Sequence, residues 1–371
     1  MKVLSLFDGM SCWMIALNRA WIKVDKYYAS EIDKYATQVS KKHYPNIVRL
    51  WDINNWREWD LWEIDLIIWW SPCQWFSFAW KQLAFDDPRS KLFFTMVDII
   101  NHYSPKYFLL ENVKMKKEFQ NIITKYMWVE PIEINSALVS AQNRKRLYWT
   151  NIPWVKQPED KNILLKDILE TEVDEKYYLT KEQIEKATYN RNWKIFKSGK
   201  RNWSLVLDRN EIWKALALTA STFGVESRQW NLVRVWILGK WWQWQRVYDA
   251  VGKSVALSAL WWWQGAKTWL YAVAQRWRYN EDGKIEQNIE CSWSEKANTI
   301  TSVQKDSMIL DQDYRIRRLT PIECERLQTV PDNYTAWVSN SQRYKMLGNW
   351  WTVDIISHIL WWLTTQSDNI L

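Results

Sequence analysis

From Met1 to about Leu110, short β-rich runs alternate with longer segments whose apolar residues recur at helical spacing. That alternation predicts a parallel sheet with crossover helices. The predicted strands are Val3–Leu6, Tyr27–Ser30, Ile47–Leu50, Asp65–Ile68 and Tyr107–Leu110, and the predicted helices are Met14–Ala20, Lys34–Lys42 and Lys91–Tyr103. Polar stretches at Lys156–Asn162 and Asp311-Gln312-Asp313 have the composition of linkers. They bracket a middle lobe whose pattern is weaker: a charged helical stretch, Leu179–Lys186, then short β-like pieces and many turns. Beyond it, Thr320–Gln328 is predicted to be a helix with Thr320 and Glu323 as a capping box, and Thr352–Leu363 a second. The expected organisation is a large domain over residues 1–155, a smaller one over 156–312, and a segment over 313–371 that returns to the first.

Composition changes this picture in two ways. Fifty basic against 42 acidic residues give a net charge of +8, and the excess is concentrated: between Ala187 and Arg278 there are 15 Lys and Arg against 4 Asp and Glu. A basic middle lobe fits a polyanionic partner. The chain also has 32 Trp and only 8 Gly, where a globular chain of this length carries roughly 26 glycines. Tryptophan stands where turn chemistry favours glycine, as in Trp69-Trp70-Ser71, Trp241-Trp242-Gln243-Trp244 and Trp261-Trp262-Trp263. Cys12, Cys73, Cys291 and Cys324 form no CxxC pair and there are three histidines, so no metal site is expected and a reduced, cytoplasmic protein is. Asp8 interrupts the only N-terminal apolar run, and no stretch reaches 18 consecutive apolar residues, so neither export nor membrane insertion is expected.

In an open parallel sheet, ligands bind outside the carboxyl ends of the strands. Phe7-Asp8-Gly9 follows the first predicted strand, Glu31 the second, Asp52 the third, Pro72-Cys73 the fourth and Glu111-Asn112 the fifth. A single acid at a strand end is most often a helix cap, but five such positions in register point to a site. Gly9 suits close approach of backbone to a ligand, and an acid ending the next strand suits ribose hydroxyls; the fuller GxGxxG of dinucleotide sites is missing. Ser71-Pro72-Cys73-Gln74 offers a thiol on a loop at the sheet edge, which fits a nucleophile and, taken alone, fits a buried structural cysteine as well. Arg144 and Arg146, two apart, would face one side of an extended segment and suit a phosphate or a base with developing negative charge; a solvated basic loop is the plainer alternative.

LFDGMSC, SPCQ, ENV, QNRKR, RRLTPIECERLQ and LGN…TV occur in that order, and the set resembles the ordered motifs of the cytosine-C5 DNA methyltransferases. The likeness covers about Met1–Pro153 and Arg315–Leu363, with a variable target-recognition lobe between. The resemblance implies a Rossmann-like α/β sheet with a second, smaller target-recognition domain, S-adenosyl-L-methionine as cofactor and double-stranded DNA as partner, the chain acting as a monomer. It further implies that Cys73 adds to C6 of a flipped-out cytosine, Glu111 protonates N3, and Arg146 with Arg144 holds O2. For the cofactor it implies Phe7 against the adenine, Gly9 beneath the methionine moiety, Glu31 on the ribose, Asp52 on the adenine amino group, and Pro72 and Asn349 completing the wall. An RNA-acting relative on the same scaffold shares several of these motifs, and the long basic lobe favours duplex DNA over it. At Trp13, Trp69, Trp70, Trp75 and Trp350 the family has glycine, whereas Trp351 matches a tryptophan of one subfamily. Bulky indoles at glycine sites oppose catalysis through strain or overpacking, so a non-catalytic nucleic-acid-binding protein is the competing expectation.

Overall fold

The computed structural model describes residues 1–70, 88–180, 183, 271–279, 285–292, 296–297, 299–301, 307–310 and 315–365. The chain divides into two compact units, Met1–Leu164 with Pro321–Leu371, and Leu165–Thr320. The first unit is built on β1 (Lys2–Leu6), β2 (Lys26–Ser30), β3 (Val48–Arg49), β4 (Leu66–Trp70), β5 (Tyr107–Val113), β6 (Ile132–Asn135) and β7 (Lys145–Thr150). They form one sheet in the order β3-β2-β1-β4-β5-β7-β6. Strands β1 to β5 run parallel, and β7 is antiparallel to both β5 and β6. Val3 to Leu6 and Leu66 to Trp69 are buried without alternation, as strands covered on both faces must be. The chain moves from β3 at one edge to β4 beside β1, which puts the topological switch between β1 and β4, where open α/β sheets bind ligands.

Five expected strands are present with shifted ends, and one shift has a clear cause. Trp69 and Trp70, expected at a turn, complete β4 instead: Trp69 pairs with Leu6 and Leu110 and is fully buried in the core with Leu4, Met96 and Trp149. A flat indole on a pleated, covered strand gains from burial. Helices α1 (Cys12–Arg19), α2 (Lys34–His43) and α3 (Pro88–Tyr103) match the expected periodic segments. The Asp33 carboxylate starts α2 by accepting from the backbone N–H of Tyr35 at 2.9 Å and Ala36 at 3.1 Å. The sequence pattern named no element over α4 (Lys117–Met127) or the β6–β7 hairpin that closes the sheet's far edge.

The C-terminal part of this unit supplies α5 (Pro321–Leu327), α6 (Asn340–Asn349) and α7 (Val353–Trp361). It is fastened to the N-terminal part by polar contacts. Arg19 bonds Asp354 at 2.8 Å and the Thr329 carbonyl at 2.6 Å, and the Tyr334 hydroxyl donates to the Met10 carbonyl at 2.7 Å. Glu325, fully buried, pairs with Arg343 at 2.9 Å and accepts from the Thr335 N–H at 2.8 Å, so its charge is matched in the core. Lys156–Asn162, expected as a linker, is docked on this unit: the Lys161 N–H donates to the Leu138 carbonyl at 2.7 Å, and the Lys161 ammonium pairs with Asp354 at 2.9 Å.

In the second unit, β8 (Tyr271–Tyr279), β9 (Ile285–Ser292), β10 (Met308–Leu310) and β11 (Ile316–Arg318) form an antiparallel sheet in the order β11-β10-β8-β9. Thr180 and Gln183 bond each other reciprocally, N–H to side chain at 3.0 and 3.2 Å, as a capping box does. The remainder of the expected helix Leu179–Lys186 lies outside the described residues, as do Asp311-Gln312-Asp313 and nearly all of the basic stretch. Among the described residues no helix is long and apolar enough to cross a membrane.

Among the described residues four tryptophans have left-handed backbone: Trp21 (φ 58°), Trp51 (φ 61°), Trp128 (φ 59°) and Trp154 (φ 64°). For an L-residue with a bulky side chain that conformation costs roughly 1–2 kcal/mol. Trp128 ends α4 in this conformation, with its N–H on the Thr124 carbonyl at 2.8 Å, the position at which helices favour glycine. Trp128→Gly is therefore expected to stabilise the protein by about 1 kcal/mol, measured as a rise in the urea midpoint at unchanged slope.

Candidate active site

Beyond β1 the chain winds tightly, with φ of 58° at Phe7, 56° at Gly9 and 60° at Ser11. Asp8 holds this loop together. Its buried carboxylate accepts from the Tyr27 hydroxyl at 2.6 Å and from the Ser11 hydroxyl, while its N–H donates to the Ser30 carbonyl at 3.0 Å. Burial raises the Asp8 pKa against the opposing pull of these hydrogen bonds. Asp8 is thus a fastening for the loop, and Gly9 is the residue the loop presents.

Glu31, at the end of β2, accepts from three backbone N–H groups: Gly9 at 2.7 Å, Ile32 at 2.8 Å and Asp33 at 2.7 Å. Burial raises its pKa first, and the backbone donors oppose that. Asp52 follows β3 and caps a short 3-10 turn by accepting from the Asn54 N–H at 2.9 Å. Phe7, Gly9, Glu31 and Asp52 therefore do lie at the carboxyl ends of adjacent strands, as expected. Asn349 is the exposed last residue of α6. Pro72 and Cys73 lie outside the described residues, as does Trp75; Trp70, the last described residue before them, is paired in register with Glu111.

Glu111 is buried near the carboxyl end of β5, and its Oε1 lies 2.9 Å from Nε of Arg146 on β7. Burial raises its carboxyl pKa, while Arg146 and then Arg144 pull it down. The amide nitrogen of its neighbour Asn112 is buried without a hydrogen-bond partner among the described residues, so this strand end keeps polar capacity in reserve. Arg144, just before β7, behaves differently from Arg146. Its guanidinium donates to the carbonyls of Trp350 at 2.5 Å and Gly348 at 3.3 Å. The two arginines, expected side by side on one target, thus divide: Arg146 engages Glu111 directly, and Arg144 ties the last motif to the sheet.

Gln328, expected only as the end of a helix, was not among the candidate site residues. Its buried amide donates to the carbonyls of Leu347 at 2.8 Å and Trp350 at 3.0 Å, and its oxygen accepts from Gln142 at 3.1 Å and the Thr352 hydroxyl at 3.1 Å. A glutamine inside RRLTPIECERLQ with another inside QNRKR is the only signal that could have found this clasp.

An open, mostly parallel α/β sheet with acids and a glycine loop along its carboxyl edge is the Rossmann-like architecture of the C5 methyltransferases. It superimposes on the S. pombe Dnmt2 methyltransferase with a TM-score of 0.57 at 15% identity, covering 99% of each chain. It also superimposes on the Entamoeba histolytica methyltransferase EhMeth with a TM-score of 0.56 at 15% identity, covering 99% of this chain and 98% of that one. The family model for C-5 cytosine-specific DNA methylase matches residues 1–363, and the chain belongs to that family of methyltransferases. Curated relatives include the orphan methyltransferase M.SPRI of Bacillus phage SPR, 26% identical over 97% of this chain and 96% of that protein. The type II methyltransferase M.HhaI of Haemophilus parahaemolyticus is 25% identical over 97% and 93%.

The family implies S-adenosyl-L-methionine, and the loop at Gly9 tests the fit. A Cβ placed on Gly9 would lie 2.1 Å from Cζ3 of Trp350 and 2.7 Å from its Cη2. The Trp350 ring therefore rests directly on the bare face of Gly9. Trp70 stands edge-on to Trp350 at 6.1 Å and donates its indole N–H to the Phe7 carbonyl at 2.6 Å. The acids at the strand ends suit a nucleoside, but the space over Gly9 is occupied by indole, and the cofactor that the family implies does not fit this packing.

The Glu111–Arg146 pair makes stability depend on pH with a definite sign. A carboxyl with a raised folded-state pKa contributes stability below its ordinary pKa and loses it as pH rises through the raised value. Arg146 limits that loss, so in Arg146→Met the deficit relative to the parent should be small near about pH 5 and grow to roughly 3 kcal/mol near pH 8. Urea unfolding of both proteins at the two pH values measures it.

Proposed function

We propose that the chain activates cytosine in double-stranded DNA for methylation at C5, with Cys73 as the nucleophile and Glu111 as the acid at N3. The observation that carries this reading is the buried Glu111, held by Arg146 at 2.9 Å near the end of β5 and paired in register with Trp70, three positions before Cys73 in the sequence. Cytosine C5 is too weak a nucleophile to react directly. Addition of the Cys73 thiolate to C6 with protonation of N3 forms a C–S bond, moves the ring electrons and leaves an enamine nucleophilic at C5. Burial raises the Glu111 pKa against the pull of Arg146 and Arg144, the direction that suits a carboxyl giving a proton to N3, and the guanidinium of Arg146 would stabilise it as it becomes anionic. The target ring must leave the duplex to be reached, and the 15 Lys and Arg between Ala187 and Arg278 suit the phosphates of the remaining helix. Arg144, bonded to the last motif, serves as a positioning residue for the pair. The methyl donor implied by the family is S-adenosyl-L-methionine. A monomer working in the cytoplasm completes the proposal, in keeping with the bacterial and phage relatives.

Base activation has a readout that needs no methyl donor. The enamine can take a solvent proton at C5, lose the hydrogen originally there and expel the thiolate, so cytosine returns with its C5 hydrogen exchanged. Duplex DNA of mixed sequence labelled with tritium at cytosine C5 should release tritium to water when incubated with the chain. Cys73→Ala should abolish release, and Glu111→Gln should slow it by roughly 100-fold or more. Release that persists in Cys73→Ala would remove the thiol from the mechanism.

A further inference from the structure

The four left-handed tryptophans stand at turns of different kinds, and each kind calls for glycine on its own grounds. After α1, the Trp21 N–H bonds the Asn18 carbonyl at 3.1 Å and the Ile22 N–H bonds the Leu17 carbonyl at 3.0 Å. That pair of bonds is a Schellman motif with Trp21 at its left-handed position. Trp128 ends α4 in the same conformation. Trp154 follows Pro153 with positive φ, the pattern of a type II turn whose third residue is glycine. Trp51 lies in the bend after β3, its carbonyl accepting from the Ser30 hydroxyl at 2.8 Å. Their side chains are 86%, 89%, 76% and 50% exposed for Trp21, Trp128, Trp154 and Trp51. Trp21, Trp128 and Trp154 lie largely in solvent and Trp51 is half exposed, with the Lys41 ammonium 5.2 Å from its ring, so packing does little to offset the backbone that each occupies.

Trp350 joins this set by another route. Its ring is buried, its indole N–H has no hydrogen-bond partner among the described residues, and it lies against Gly9 where a Cβ would stand. A buried indole donor left unpaired is itself unfavourable. The backbone around it is nonetheless firmly held, with its carbonyl bonded by both Arg144 and Gln328. The fold thus specifies the main chain at 350 and gains nothing from the side chain's polar atom.

We infer that positions 21, 51, 128, 154 and 350 are glycine positions, and that the form of this polypeptide which takes up the cofactor carries glycine at 350 and at its neighbour in the cleft, 70. One change of the same direction at unrelated turns, in a chain with 32 Trp and 8 Gly, points to a single cause at decoding: a codon read here as tryptophan and as glycine in the cell that makes the active enzyme. The ligand assigned to the opened cleft rests on the methyltransferase reading; the glycine assignment rests on backbone geometry.

The test uses the full chain, Trp350→Gly, Trp70→Gly with Trp350→Gly, and a fourth protein with glycine at 21, 51, 128 and 154. Calorimetric titration with S-adenosyl-L-homocysteine should show binding roughly 10- to 100-fold tighter in the double variant than in the parent, and the quadruple variant should have a higher urea midpoint. Circular dichroism with cooperative unfolding establishes that each protein is folded. A folded double variant that binds no tighter than the parent, or a quadruple variant with a lowered midpoint, overturns the inference. Binding is read without DNA, so tightened binding together with absent tritium release would sustain this inference while sinking the proposed base chemistry.

Discussion

The carbonyl of Trp350 accepts two buried hydrogen bonds, from the Arg144 guanidinium and the Gln328 amide, and much of the candidate site depends on that convergence. Through Arg144 the last motif is joined to the strand that carries Arg146, and so to Glu111. Through Gln328 it is joined to α5, to Gln142 and to Thr352, whose hydroxyl also reaches Ser136. Segments separated by about two hundred positions in sequence are held at one place because each polar group, once buried, must find a partner there. The same convergence fixes where the side chain at 350 points, which is onto Gly9.

Electrostatics at the site follow from burial more than from charge pairing. Asp8, Glu31 and Glu111 all have raised carboxyl pKa values, and in each case removal from water is the largest cause. They differ in what opposes it. Asp8 is met by hydroxyls, Glu31 by backbone N–H groups and Glu111 by arginine. Hydroxyls and main-chain donors fasten Asp8 and Glu31 to the loops around them, whereas Glu111 faces a permanently charged guanidinium across the strand end.

The tryptophans separate into those the fold uses and those it tolerates. Trp149 and Trp56 fill the core, and Trp351 packs against Trp13 at 4.2 Å between α1 and the C-terminal segment. Trp69 is accommodated by lengthening β4, at the expense of an indole N–H without a partner among the described residues. Trp21, Trp51, Trp128 and Trp154 remain in solvent on backbone that a side chain disfavours. Large apolar burial offsets such local strain, because no single turn costs more than a small part of what the two-sided sheet gains.

By itself the sequence determined the parallel sheet, since the apolar runs Val3–Leu6, broken only by Ser5, and Leu66–Ile68 are best satisfied by cover on both faces, and it determined the order of the polar residues at the strand ends. It also carried the family, in the spacing of its motifs. It could not reveal that Lys156–Asn162 is docked and not free, because its partners, Leu138 and Asp354, are remote in the chain. Nor could it separate Arg144 from Arg146, whose identical side chains differ only in what the tertiary structure sets before them: carbonyls of a returning segment for one, a buried carboxyl for the other. The packing of Trp350 on Gly9 was likewise decided in three dimensions. Local pattern fixes which residues are buried, and only the packing of distant segments fixes what each buried group must face.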